Sequence, residues 1–79
     1  MAKALQAARY RSIPSLLRRL REEAGLTQRE LATRLRLSHT LVHNSERAER
    51  RVDLAEFCDW CSACGADPID VLKTFLRRR

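Results

Sequence analysis

Apolar residues recur along this chain at helical spacing, and nowhere do they alternate with polar ones as a strand would require. Leu16, Leu17 and Leu20 make one such face, and Leu31, Ala32 and Leu35 a second. A third stripe joins Leu54 and Phe57 to Cys58, Cys61 and Cys64, and a fourth holds Ile69, Leu72, Phe75 and Leu76. Between the faces a start signal repeats: a capping residue, an apolar residue just before it, and another four positions after it. Thr27 has it with Leu26 and Leu31, Ser38 with Leu37 and Val42, Asp53 with Val52 and Phe57, and Asp67 with Ala66 and Val71. Glu30 and Glu56 stand three residues after Thr27 and Asp53, the spacing of a capping box. Pro68 occupies the favoured first helical position after Asp67.

These signals predict helices starting near residues 28, 39, 54 and 68. A first helix lies upstream, opened near Pro14 and closed by Gly25 in a left-handed cap. The expected spans are about 13–24, 28–35, 39–47, 54–64 and 68–77. The fold class is all-α: a compact five-helix domain over residues 12–79 with a helix-turn-helix at its centre. Residues 1–11 are rich in alanine and basic, and read as an N-terminal arm or an extra helical turn.

Charge adds a direction to this picture. The net charge is +6, and Lys3, Arg9, Arg11, Arg18, Arg19 and Arg21 all precede the first acid, Glu22. Such a balance suits a polyanionic partner, although placement on particular faces matters more than the total. At 79 residues the chain holds one small domain whose core is marginal alone, so dimerisation would help it. No apolar run reaches the roughly 20 residues of a membrane span, and no signal-peptide pattern opens the chain. The expected setting is cytoplasmic, with reduced thiols. Three cysteines spaced by three on one helix make a poor disulfide framework, and no histidine or fourth cysteine stands near to complete a zinc site. They read as small core hydrophobes, with no metal and no cofactor implied, and a redox-sensing regulator stands as the alternative use of the thiols.

The chemistry-bearing stretch is Thr27 to Arg51. Its second helix carries His39, Thr40, His43, Asn44 and Arg47, which can hydrogen-bond to base edges or phosphates. The first turn of such a helix enters the major groove, where each base pair shows its own donor and acceptor pattern. Asn44 can offer a bidentate amide to adenine, and Arg47 can reach a guanine or a phosphate. Catalysis has no comparable footing: there is no glycine-rich phosphate loop, no H-E-x-x-H, and no nucleophile beside either histidine, so no enzyme is expected.

The sequence LRRLREEAGLTQRELA, the cap Ser38, Glu46 before a short basic loop, and a closing CGADPIDVL together resemble the Cro/C1-type (XRE-type) helix-turn-helix family of phage repressors and bacterial regulators. The resemblance runs from about Leu17 to Leu72 and implies a lambda-repressor-like DNA-binding fold. It implies that Gln28 binds a backbone phosphate, supported by a helix N-terminus. His39, Thr40, His43 and Asn44 match base-reading or groove-facing positions. Arg50 and Arg51 match a loop that grips phosphates, beside Arg47. Glu46 matches a residue that pairs with an arginine at the end of the first helix, here Arg21. Three positions depart from the pattern: Arg36 and Ala48 stand where glycine is usual, and Ser45 stands where a large apolar residue is usual. An arginine in the left-handed region would cost on the order of 1 kcal/mol. Ser45 is expected to back-bond to the carbonyl of Leu41.

The function expected is sequence-specific binding of double-stranded DNA by a transcriptional regulator, a dimeric repressor. One recognition helix reads only a few base pairs, so paired half-sites are needed. Ile69, Leu72, Phe75 and Leu76 are the expected dimer surface. The rival is an antitoxin or other interaction module that binds a partner protein, with or without DNA.

Overall fold

In the computed structural model, residues 9–78 are described, and they form five helices: α1 Ser12–Glu23, α2 Gln28–Leu35, α3 His39–Glu46, α4 Leu54–Ala63 and α5 Pro68–Arg78. The starts of α2 to α5 lie where the capping signals put them, while α1 opens at Ser12 without a side-chain cap. Thr27 Oγ1 accepts from the Glu30 amide at 3.0 Å while Glu30 Oε1 accepts from the Thr27 amide at 2.8 Å, so the capping box is complete. Ser38 accepts from the Leu41 amide, and Asp67 from the Ile69 amide. Asp53 accepts from the Glu56 amide, but the reciprocal half of that expected box is absent. The Glu56 carboxylate turns instead to the Arg50 guanidinium, because a charged partner outbids a neutral amide.

The helix ends share one device. At Gly25, Arg36, Ala48 and Gly65 the backbone is left-handed, with φ of 75°, 58°, 67° and 74°. After each, the next amide reaches back five residues: Leu26 to Arg21, Leu37 to Ala32, Glu49 to Asn44, and Ala66 to Cys61. This satisfies carbonyls that a helix end otherwise leaves bare. Glycine fills the position at α1 and α4; Arg36 and Ala48 fill it on either side of α3 and bear the steric cost of a Cβ there.

The core is built by Leu17 of α1, Leu31 and Ala32 of α2, Val42 of α3 and Trp60 of α4. Trp60 is its largest side chain, buried to 1% exposure, and its Nε1 donates to the Leu17 carbonyl at 3.0 Å. That bond satisfies the one polar atom the indole brings inside. The inward face of α4 thus runs through Phe57, Trp60, Cys61 and Cys64. This corrects the cysteine stripe expected from sequence. Only Cys61 is fully buried; Cys64 packs half-buried against the core, and Cys58 is half-buried. Leu54 is 74% exposed, because the first turn of α4 overhangs an open apolar groove that it lines with Leu72 and Phe75.

The last helix packs on α4 through Val71. Residues 9–11 also dock: Tyr10 Oη accepts from the Val52 amide at 2.9 Å, and the Arg51 guanidinium lies 4.0 Å from the Tyr10 ring centre. The remainder of the expected basic arm, residues 1–8, lies outside the described residues. Among the described residues no helix is long and apolar enough to cross a membrane.

Candidate nucleic-acid interface

The rotation of α3 decides which side chains it presents. Val42 and Ser45 are both fully buried, so the helix turns that edge toward α1 and α2. At about 100° per residue, Thr40, Asn44 and Arg47 then fall on the opposite edge, with His39 and His43 flanking them. Thr40 and Arg47 are exposed, and His39, His43 and Asn44 are half-exposed.

Ser45 holds that rotation by polar means. Its Oγ donates to the Leu41 carbonyl at 2.8 Å, the expected back-bond, and accepts from Arg50 Nη1 at 3.1 Å. Arg50 Nη2 continues to Glu56. A buried hydroxyl alone in a core would cost about 1–3 kcal/mol; here donor and acceptor are both satisfied. The arrangement also redefines Arg50. Its guanidinium, expected on a phosphate, is turned inward and spent on joining α3 to α4. Arg51 remains exposed, stacked on Tyr10.

A second network centres on the next residue, Glu46, and reaches back to α1 and the start of α2. Arg21 grips Glu46 with two bonds, Nε to Oε2 at 2.7 Å and Nη2 to Oε1 at 3.1 Å, and its Nη1 donates to the Leu26 carbonyl at 2.8 Å. The Glu46 side chain is only 3% exposed, and its hydrogen bond, first among the causes, holds the Arg21 guanidinium's pKa above the ordinary value. Gln28 Nε2 donates to Glu46 Oε1 at 3.0 Å, and His43 Nδ1 lies 3.3 Å from Gln28 Oε1. His39 stacks on His43 with ring centres 6.1 Å apart. So α1, α2 and α3 are locked around one carboxylate, and the lock extends to a side chain on the exposed edge.

Sequence reasoning placed Arg21 with Glu46 but did not join Gln28 to His43. It also passed over Trp60, although Phe57, Trp60, Cys61 and Cys64 have the i, i+3, i+4, i+7 spacing of a buried face. Arg34, whose Nη1 donates to the Ala63 carbonyl at 2.8 Å and so ties α2 to the end of α4, carries no local signal.

The thiols offer little reactivity at the centre. Burial, aided by the neighbouring Cys58 and Cys64, pushes the Cys61 thiol from 9.0 to about 11. Burial also raises Cys64, against the opposing pull of Arg34 and Arg21. Among the described residues no three His, Cys, Asp or Glu side chains are grouped to hold a metal ion. On α5 the apolar residues divide: Val71 is buried and Phe75 half-buried, while Ile69, Leu72 and Leu76 stand 63%, 42% and 48% exposed as an outward stripe.

A family model described as a helix-turn-helix domain matches residues 15–73. The solved structure of an XRE-family-like protein from Pseudomonas syringae pv. tomato str. DC3000 is 40% identical, with a TM-score of 0.87 over 98% of this chain and 94% of that one. The clp gene regulator ClgR from Corynebacterium glutamicum is 31% identical, with a TM-score of 0.75 over 85% of this chain and 71% of that one. No curated protein matches at a significant level. With α2, its turn and α3 arranged as above, this chain belongs to the XRE-type helix-turn-helix DNA-binding family.

Proposed function

We propose that the protein is a sequence-specific double-stranded DNA-binding regulator that acts as a homodimeric repressor. The observation that carries the reading is the α3 edge on which Thr40, Asn44 and Arg47 stand together, held in place by the buried Ser45 and the Arg21–Glu46 clamp. Thr40, His39, His43 and Asn44 would meet base edges, since the first turns of a recognition helix enter the major groove. Gln28 uses one of its two amide hydrogens on Glu46. The other, with the α2 N-terminus, would meet a phosphate. Arg47 and Arg51 are exposed cations that would add backbone contacts. Arg50 leaves this set, being committed to Ser45 and Glu56.

The Ile69, Leu72 and Leu76 stripe would bury itself against the same stripe of a second copy. Two recognition helices would then read half-sites about one helical turn apart, and occupancy of a promoter would exclude polymerase. Such a protein works in the cytoplasm, where bacterial DNA lies. The test is selection of bound sequences from random duplex DNA, with sedimentation of the protein alone. A two-fold symmetric enriched sequence and a dimer are expected. A monomer that enriches no sequence would overturn the proposal and favour a module that binds a partner protein.

A further inference from the structure

Every hydrogen-bonding choice between Arg21 and the ring of His43 is forced by chemistry. Arg21 donates two hydrogens to Glu46, whose carboxylate can only accept. The Gln28 group 3.0 Å from Glu46 Oε1 must therefore be the NH2 end of its amide. The other end, Oε1, is then the atom 3.3 Å from His43 Nδ1. An amide oxygen only accepts, so Nδ1 must carry the proton. Turning the ring over would set a carbon against that oxygen, and His39 stacks against the ring.

We infer that the Arg21–Glu46–Gln28 chain sets the tautomer of the neutral His43 ring, so that its distal nitrogen, Nε2, faces DNA as a hydrogen-bond acceptor and selects an amine-bearing base. Nε2 has no partner among the described residues, and no side-chain nitrogen or oxygen is left buried without one, so Nε2 is open to solvent. In the major groove the donors are the N6 amine of adenine and the N4 amine of cytosine, and the acceptors are N7 of both purines, guanine O6 and thymine O4. Every base pair has one amine and one keto group in this groove. An acceptor at His43 therefore chooses which strand bears the amine rather than which pair is present. The groups facing the ring are Gln28 of α2, His39 of α3, and, behind Gln28, Glu46 with Arg21 of α1.

The inference rests on the proposed DNA reading for its second half only, and two measurements separate the halves. Nitrogen-15 spectra of the histidine rings in the free protein at pH 8 report the tautomer. The Nδ1–H form is expected for wild type, and the Nε2–H form for Gln28→Met, which removes the acceptor. A wild-type ring in the Nε2–H form would overturn the inference without any DNA present. Selection from random duplexes then compares wild type, His43→Ala and Gln28→Met. Wild type should prefer an amine on the facing strand at one position per half-site by roughly three- to tenfold, the range of one hydrogen bond. His43→Ala should lose that preference alone. Gln28→Met should bind more weakly throughout and reverse the preference to guanine or thymine. An unchanged preference in Gln28→Met would overturn the relay. A wild type in the Nδ1–H form that enriches no sequence would overturn the DNA reading and the base choice together, leaving the tautomer standing.

Discussion

Cutting Glu46 to alanine is the sharpest test of how this fold is held. Three charge-assisted bonds end on its carboxylate: two from Arg21, at 2.7 and 3.1 Å, and one from Gln28 at 3.0 Å. Hydrogen bonds to charged groups contribute about 1.5–3 kcal/mol each. They share one carboxylate, however, and the Arg21 side chain, at 12% exposure, regains some hydration once released. Arg21 also keeps its bond to the Leu26 carbonyl. The expected loss is therefore about 2–4 kcal/mol, most of it from leaving a nearly buried guanidinium without its counter-charge. A domain of this length has about 4–12 kcal/mol in total, so the variant should lose a large share of that margin and melt on the order of 10–25 °C lower. Urea unfolding followed by fluorescence measures it directly, because Trp60 is the only tryptophan and is buried. A double-mutant cycle with Arg21→Met should give a coupling of at least about 1 kcal/mol. A Glu46→Ala loss below about 0.5 kcal/mol, or additive effects in the cycle, would refute the claim that this carboxylate joins three helices.

Arg36→Gly should stabilise the protein by about 0.5–1 kcal/mol, because relief of left-handed strain exceeds the added freedom of the unfolded chain; a loss of stability on urea titration would contradict this. Gly25→Ala should cost about 1 kcal/mol although nothing lies within 4 Å of the added carbon, so the penalty is conformational and a crystal structure of the variant should show no displaced neighbour. Cys61 holds its proton more tightly folded than unfolded. Its contribution is therefore full below the ordinary thiol value of 9.0 and is lost as pH rises toward about 11. Cys61→Ala should flatten the decline of stability over that interval, and a decline as steep as wild type would show that another group controls it. Arg51→Gln should reduce the salt dependence of DNA binding by about one ion, whereas Arg50→Gln should lower stability and leave that slope unchanged; equal slopes for the two variants would undo the distinction between them.

Helix starts and stops were legible in the linear sequence because the forces that set them act within about five residues. Thr27, Ser38, Asp53 and Asp67 each cap an amide two or three positions on, and Gly25 supplies its left-handed turn wherever the chain later packs. The pairing of Arg21 with Glu46 was legible through the family pattern, and the bond from Ser45 to Leu41 through helix geometry. Long side chains obey no such local rule. Glu30 and Glu56 stand at the same spacing from their caps, yet only Glu30 closes its box, because folding brings Arg50 beside Glu56. Arg50 and Arg51 are neighbours of identical chemistry, and the fold sends one to Ser45 and the other to Tyr10. Leu54 shares its stripe with Phe57 but stands at the rim of an open groove, so its exposure is a matter of where α4 begins relative to the core. The orientation of the Gln28 amide, and with it the proton on His43, depends on a carboxylate 18 residues away in sequence. Local propensities cannot encode such choices, because each is a competition among partners that meet only when the helices have packed.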